Sequence, residues 1–153
     1  MSYLLVTPAS YAKLKEEIRS HAEQGKLSSP VTDAEARSLP YLQAVIKEGL
    51  RIIPPAQGPL YKEVPKGGDT ILGHYLPAGT EIGHSTYSVQ HRKDIWGEDA
   101  DIFRPERWLE ASEEQLKTMT SVVDLVFGTG QFQCLGRNVA LMELNKAVVE
   151  VSA

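Results

Sequence analysis

One glycine-rich loop constrains this chain more than any other stretch. It reads Phe127-Gly128-Thr129-Gly130-Gln131-Phe132-Gln133-Cys134-Leu135-Gly136 and leads into a helical pattern over Asn138 to Val151. Glycines permit positive φ and let the backbone approach a flat partner closely. The start of a helix leaves N–H groups unpaired and carries the positive end of the peptide dipoles, so a cysteine placed there is favoured as a thiolate. Cys134 is also the one cysteine in 153 residues, which excludes an internal disulfide and every multi-cysteine zinc site. By default a lone cysteine is a small buried hydrophobe. Gly128-x-Gly130 alone reads equally as a plain turn or as half of a dinucleotide fingerprint. The nucleotide reading fails, because no strong strand pattern leads into the loop and the remaining glycine spacing is wrong. The joint spacing of phenylalanine, glycines and cysteine argues against the default for Cys134.

A thiolate held this way can bind a haem iron axially and push electron density towards a bound ligand. The rest of the chain is ordinary globular material, with 42% hydrophobic and 24% charged residues, so one packed domain is expected rather than disorder. The net charge of -4 comes without a basic block, which disfavours a nucleic-acid partner. Tyr3 to Val6 is too short for a signal segment and lacks a basic flank. No stretch approaches a membrane span in length, so no anchor is expected within these residues.

Thr7 and Pro8 read as the N-cap and first residue of a helix carrying Tyr11, Leu14 and Ile18 on one side. Gly25 to Pro30 is a loop. Thr32 with Glu35 resembles a capping box for a short helix. Pro40 opens a stronger helix with Leu42, Val45, Ile46 and Gly49 on one face, and Pro54-Pro55 closes it. From Pro59 to Gln90, glycine and proline punctuation predicts small β-hairpins. Trp96 to Trp108 reads as irregular, apart from a turn near Arg104-Pro105-Glu106. Glu113 to Met119 predicts a short helix. In the final helix, Val139, Met142, Ala147 and Val151 are expected to line an apolar face.

On the Pro40 helix, Glu48 and Arg51 lie three apart and share a face; alone, they read as a solvated ion pair worth about 0.2–0.5 kcal/mol. Taken with the loop and with Phe103-Arg104-Pro105-Glu106-Arg107-Trp108, the sequence resembles the cytochrome P450 family. The loop is similar to that family's signature, Phe-x-x-Gly-x-Arg-x-Cys-x-Gly, with Phe127, Gly130, Cys134 and Gly136 matching. Phe132 stands where the family has the arginine that pairs with a haem propionate. The resemblance implies haem b as cofactor, Cys134 as iron ligand, and Phe127, Gly130, Phe132 and Gly136 around the haem. Lys62, in Gly58 to Pro65, aligns near a basic propionate contact, with a plain exposed lysine an equal alternative. Glu48, Arg51 and Arg107 match a structural lock that takes no part in bond making. His91-Arg92 and Gly97 to Asp101 resemble the approach to the family's meander. His21, His74, His84 and His91 lack zinc-protease spacing and read as surface or packing residues.

The implied fold class is α+β, mainly helical, with small β-hairpins between the Glu-x-x-Arg helix and the cysteine loop. The resemblance spans residues 1–153 as a partial domain, from the end of the family's distal helix through the proximal cysteine-ligand helix. It is strongest to fungal microsomal members. It implies a haem-thiolate monooxygenase acting on a small organic substrate, with NADPH electrons delivered by a cytochrome reductase. No catalytic residue is identified, since the distal helix's acid-alcohol pair is not among these residues. The isolated chain is therefore expected to be inactive, with apolar faces around Leu14, Val45 and Val148 left open. The alternatives are a non-catalytic truncated fragment with weak haem binding, and a haem-thiolate isomerase or dehydratase. The full-length family implies the endoplasmic reticulum membrane; without anchor or signal, the chain itself is read as cytoplasmic.

Overall fold

The computed structural model describes residues 2–152. Helices dominate: α1 (Ser2–Leu5), α2 (Pro8–Glu23), α3 (Asp33–Arg37) and α4 (Pro40–Ile52) precede the strands. Strands β1 (Pro59–Glu63), β2 (Asp69–Ile71), β3 (His74–Leu76) and β4 (Glu81–Ser85) follow. Then come α5 (Thr86–Gln90), α6 (Lys93–Trp96), α7 (Arg107–Glu110), α8 (Glu113–Asp124) and α9 (Arg137–Ser152). This is a mainly helical α+β fold. Among the described residues, no helix is long and apolar enough to cross a membrane.

The hub is α4, which packs against α2, α3, α5, α7, α8 and α9. Pro40 supplies a preset φ at its first position, but Leu39 before it offers no side-chain cap. The carboxylate of Glu17, on α2, does that work from a distance, accepting the N–H groups of Tyr41 at 2.8 Å and Leu42 at 2.9 Å. Two of the orphan donors at the helix start are thereby satisfied, by an anion at the positive dipole end. Two other helices begin with local capping boxes, Thr32 with Glu35 on α3 and Ser112 with Gln115 on α8. Thr7 departs from its expected role: it gives α2 no side-chain cap, and its hydroxyl donates instead to Tyr3 O at 2.8 Å.

Leu14, Val45 and Val148, expected to lie open, are buried in one cluster with Leu4, Ile18 and Leu42. They cover one another because α2, α4 and α9 pack together. A second cluster, with Ala44, Trp96, Trp108, Met119 and Val123, fills the other side of α4. The face expected of α9 is the wrong one. Val139, Met142, Ala147 and Val151 are exposed, while Asn145, Val148, Val149 and Ser152 are buried. Apolar residues occur around most of this helix, so periodicity selects no face. Polar anchors help to select it: Gln43 Nε2 donates to Asn145 Oδ1 at 2.9 Å, Asn145 Nδ2 to Asp33 Oδ1 at 2.8 Å, and Val31 N to Glu150 Oε1 at 2.7 Å.

The strands form two antiparallel pairs, β1 with β4 and, between them in sequence, the hairpin β2–β3. The β1–β4 register sets Leu60 opposite His84 and Lys62 opposite Ile82. The expected hairpin region ends earlier than Gln90, because Thr86–Gln90 is helical and Ser85 Oγ caps it by accepting Ser88 N at 3.2 Å. The stretch read as irregular contains the turn of α7 and the end of α6, and α8 runs past Met119 to Asp124.

Candidate functional site

Glu48 and Arg51 are not a surface pair. Both side chains are 0% exposed and Arg107 is 4% exposed. Glu48 Oε1 accepts from Arg51 Nη2 at 2.8 Å, Arg104 N at 2.9 Å and Arg107 Nε at 3.0 Å. Its Oε2 accepts from Arg51 Nε and Trp108 Nε1, each at 3.0 Å. Arg51 also donates to the carbonyls of Gln90, Ala100 and Ile102. Arg107 donates to the carbonyls of Trp96, Asp99 and Ile102 and to Asp99 Oδ1 at 3.1 Å. Burial alone would raise the Asp99 pKa, but hydrogen bonds from Arg104 and Arg107 hold it below the usual carboxylate value. Two buried cations thus face two carboxylates, and α4 is tied to the whole segment 96–108. Trp108 and Asp99 belong to this cluster although the sequence reading missed them; Asp99 stood in the quoted meander segment, and Trp108 adjoins Arg107.

The cysteine loop hangs between α8 and α9. At its base Arg137 Nη2 donates to Asp124 Oδ1 at 2.8 Å, and its guanidinium stands 5.6 Å from the Phe127 ring centroid. Gly128 has φ 71° and ψ -178°, a region essentially restricted to glycine. A Cβ there would stand 2.9 Å from Phe132 O. Gly128, absent from the sequence-derived site set, is therefore the residue the loop can least exchange. The loop closes through Cys134 N donating to Phe127 O at 2.7 Å, and Cys134 O accepts Arg137 N at 3.3 Å where α9 begins. Cys134 itself is exposed. Gly136 leaves room beside it, since a Cβ there would lie 3.8 Å from Cys134 Sγ.

A cavity of about 390 Å³ separates this loop from the β1–β4 pair, with Leu60, Lys62, His84, Phe127, Phe132 and Cys134 among its lining residues. Phe132 is 67% exposed. Lys62 Nζ donates to Thr129 Oγ1 at 3.1 Å and lies 5.9 Å from the Phe132 ring centroid. Among the described residues, Lys62 has no carboxylate partner. The structure thus brings Lys62, Phe127, Phe132 and Cys134 together, with Gly130 and Gly136 in the loop's backbone. Glu48, Arg51 and Arg107 form their separate cluster. Sulfur as a soft donor, aromatic walls and one cation fit a flat apolar metal macrocycle with carboxylate edges. His84 also lines this cavity, and nothing in its sequence surroundings pointed there. Another cavity, of about 300 Å³, opens beside Leu4, Val45, Phe103 and Val148; its walls are mostly apolar, with Tyr3 the one hydroxyl-bearing side chain among its lining residues.

The sequence profile of the family described as Cytochrome P450 matches residues 1–151. The cytochrome P450 monooxygenase ABA1 of Pyricularia oryzae is 50% identical over 149 residues, covering 97% of this chain and 29% of that protein. The aba1 monooxygenase of Botryotinia fuckeliana is 44% identical, with the same 97% and 29% covered. Pisatin demethylase of Fusarium vanettenii is 40% identical, covering 97% of this chain and 27% of that protein. The chain therefore spans less than a third of the length of these relatives.

Proposed function

The chain belongs to the cytochrome P450 family, and from that premise we propose that it carries the haem-thiolate site of a monooxygenase, with Cys134 as the axial iron ligand. The observation that supports this reading is the exposed Cys134 thiol lining a cavity of about 390 Å³ with aromatic walls and a cation. When bound, the haem supplies the oxygen-activating chemistry, fed with NADPH electrons through a cytochrome reductase and directed at a small organic substrate. The chain's own residues do the holding. Cys134 stands just ahead of the start of α9, on the wall of the cavity, where its sulfur can reach a ligand. Phe127 and Phe132 offer aromatic surface to a flat ring, and Gly130 and Gly136 keep the backbone clear of it. Lys62 brings its charge to a carboxylate edge. Glu48, Arg51 and Arg107 keep α4 and segment 96–108 in fixed relation beneath the site. A microsomal setting belongs to the same proposal, by likeness to the fungal relatives.

The test titrates the purified chain with haem, then reduces it under carbon monoxide. A thiolate-type Soret band is expected, and Cys134→Ala abolishes it. A band that survives this substitution places the ligand elsewhere.

A further inference from the structure

We propose that His84 is a second anchor for a carboxylate of the bound cofactor, supplying the hydrogen-bond donor that Phe132 lacks. This rests on the haem-thiolate reading and deepens it. Side chains alternate along a strand, so the register of Lys62 opposite Ile82 and Leu60 opposite His84 puts Lys62 and His84 on one face. They are diagonal neighbours, roughly 7–8 Å apart between backbones, and both line the cavity that Cys134 lines. His84 Nε2 is closed off from solvent and has no hydrogen-bond partner among the described residues. Buried polar atoms are rarely left so.

Phe132 cannot meet a carboxylate, and its ring stands exposed beside Lys62. A neutral imidazole in its Nε2–H form donates one hydrogen bond, and a carboxylate acceptor makes that bond charge-assisted. Cavity lining, shared sheet face and unpaired nitrogen converge on the same group. His84 thereby separates from His21, His74 and His91, none of which lines this cavity.

The experiment measures the rate at which the chain, loaded with haem or with haem dimethyl ester, loses its cofactor to an acceptor protein. With natural haem, His84→Phe raises the rate about tenfold, the effect of one hydrogen bond to a charged group. His84→Gln, which keeps a donor, restores most of the retention. With the ester, whose carbonyls accept only a weaker, uncharged hydrogen bond, His84→Phe raises the loss rate by a clearly smaller factor than with natural haem. An equal increase with both cofactors, or no increase with natural haem, overturns the assignment. Should His84→Phe not fold, proton NMR of the unaltered chain decides. Loaded with zinc protoporphyrin, it shows an exchange-protected His84 Nε2–H signal that is further downfield and better protected than with the dimethyl ester; equal signals count against the anchor. Absence of a thiolate-type Soret band sinks the proposed function, whereas a thiolate band with His84-independent loss sinks this inference alone.

Discussion

Replacing Glu48 by glutamine keeps the shape of the side chain and removes one negative charge from between two arginines. In the native cluster the carboxylate accepts from Arg51, Arg104 N, Arg107 and Trp108. An amide has one oxygen, so the NH2 group must face donors at the other position. With Oε2 as the amide end, Arg51 Nε and Trp108 Nε1 would confront it; the other flip sets it against three donors. Each buried donor left unpaired costs about 1–3 kcal/mol; Arg51 would be left without a carboxylate, and Arg107 with Asp99 alone. Breaking a buried ion cluster at one member costs about 3–5 kcal/mol, a large part of the roughly 5–15 kcal/mol that holds a domain folded. The assay is urea unfolding followed by tryptophan fluorescence. It reports locally, since Trp108 donates to Glu48 and the Arg51 guanidinium lies 5.2 Å from the Trp96 ring centroid. With a slope of about 2 kcal/mol per molar urea, the midpoint falls by about 2 M. Glu16→Gln, which removes an exposed pair with Arg19, serves as control and costs at most about 1 kcal/mol. A Glu48→Gln shift no larger than the control's would refute the reasoning. Full additivity of Glu48→Gln with Arg51→Met would do so too, because members of one network couple.

Gly128→Ala destabilises the chain by about 1–3 kcal/mol through its backbone conformation, with further strain from the Cβ against Phe132 O; Gly130→Ala, with φ 62° but open space around the Cβ, costs less in the same thermal melt. Hydrogen bonds from Thr32 N, then from Ser28 and Thr32 side chains, push the Glu35 carboxyl down to about 2 from 4.5. A depressed carboxyl contributes stability that is complete above its unfolded value and lost as pH falls through the folded one. Urea midpoints should therefore drop between about pH 4.5 and 2, and Glu35→Gln should flatten that part of the profile; an unchanged slope would remove Glu35 from the acid response.

The features legible in the sequence are those set by near neighbours along the chain. Pro8 and Pro40 fix helix starts through their own φ, Pro54 stops α4, and Thr32 and Glu35 close a box across three residues. The cysteine loop belongs with them, since its glycines, phenylalanine and cysteine lie within ten residues, Phe127 to Gly136. Distance along the chain hid the rest. Glu17 caps α4 from another helix, and His84 reaches the Cys134 cavity only because β4 pairs with β1. Glu48 and Arg51 would look alike on a wet surface; their complete burial depends on Arg107, Trp108 and the carbonyls of residues 90–102 folding over them. For α9, a helix apolar on most sides, the tertiary partners chose which side to bury. Local bonds and φ limits are written into short stretches of sequence, whereas burial is a property of surfaces that meet only when distant segments pack.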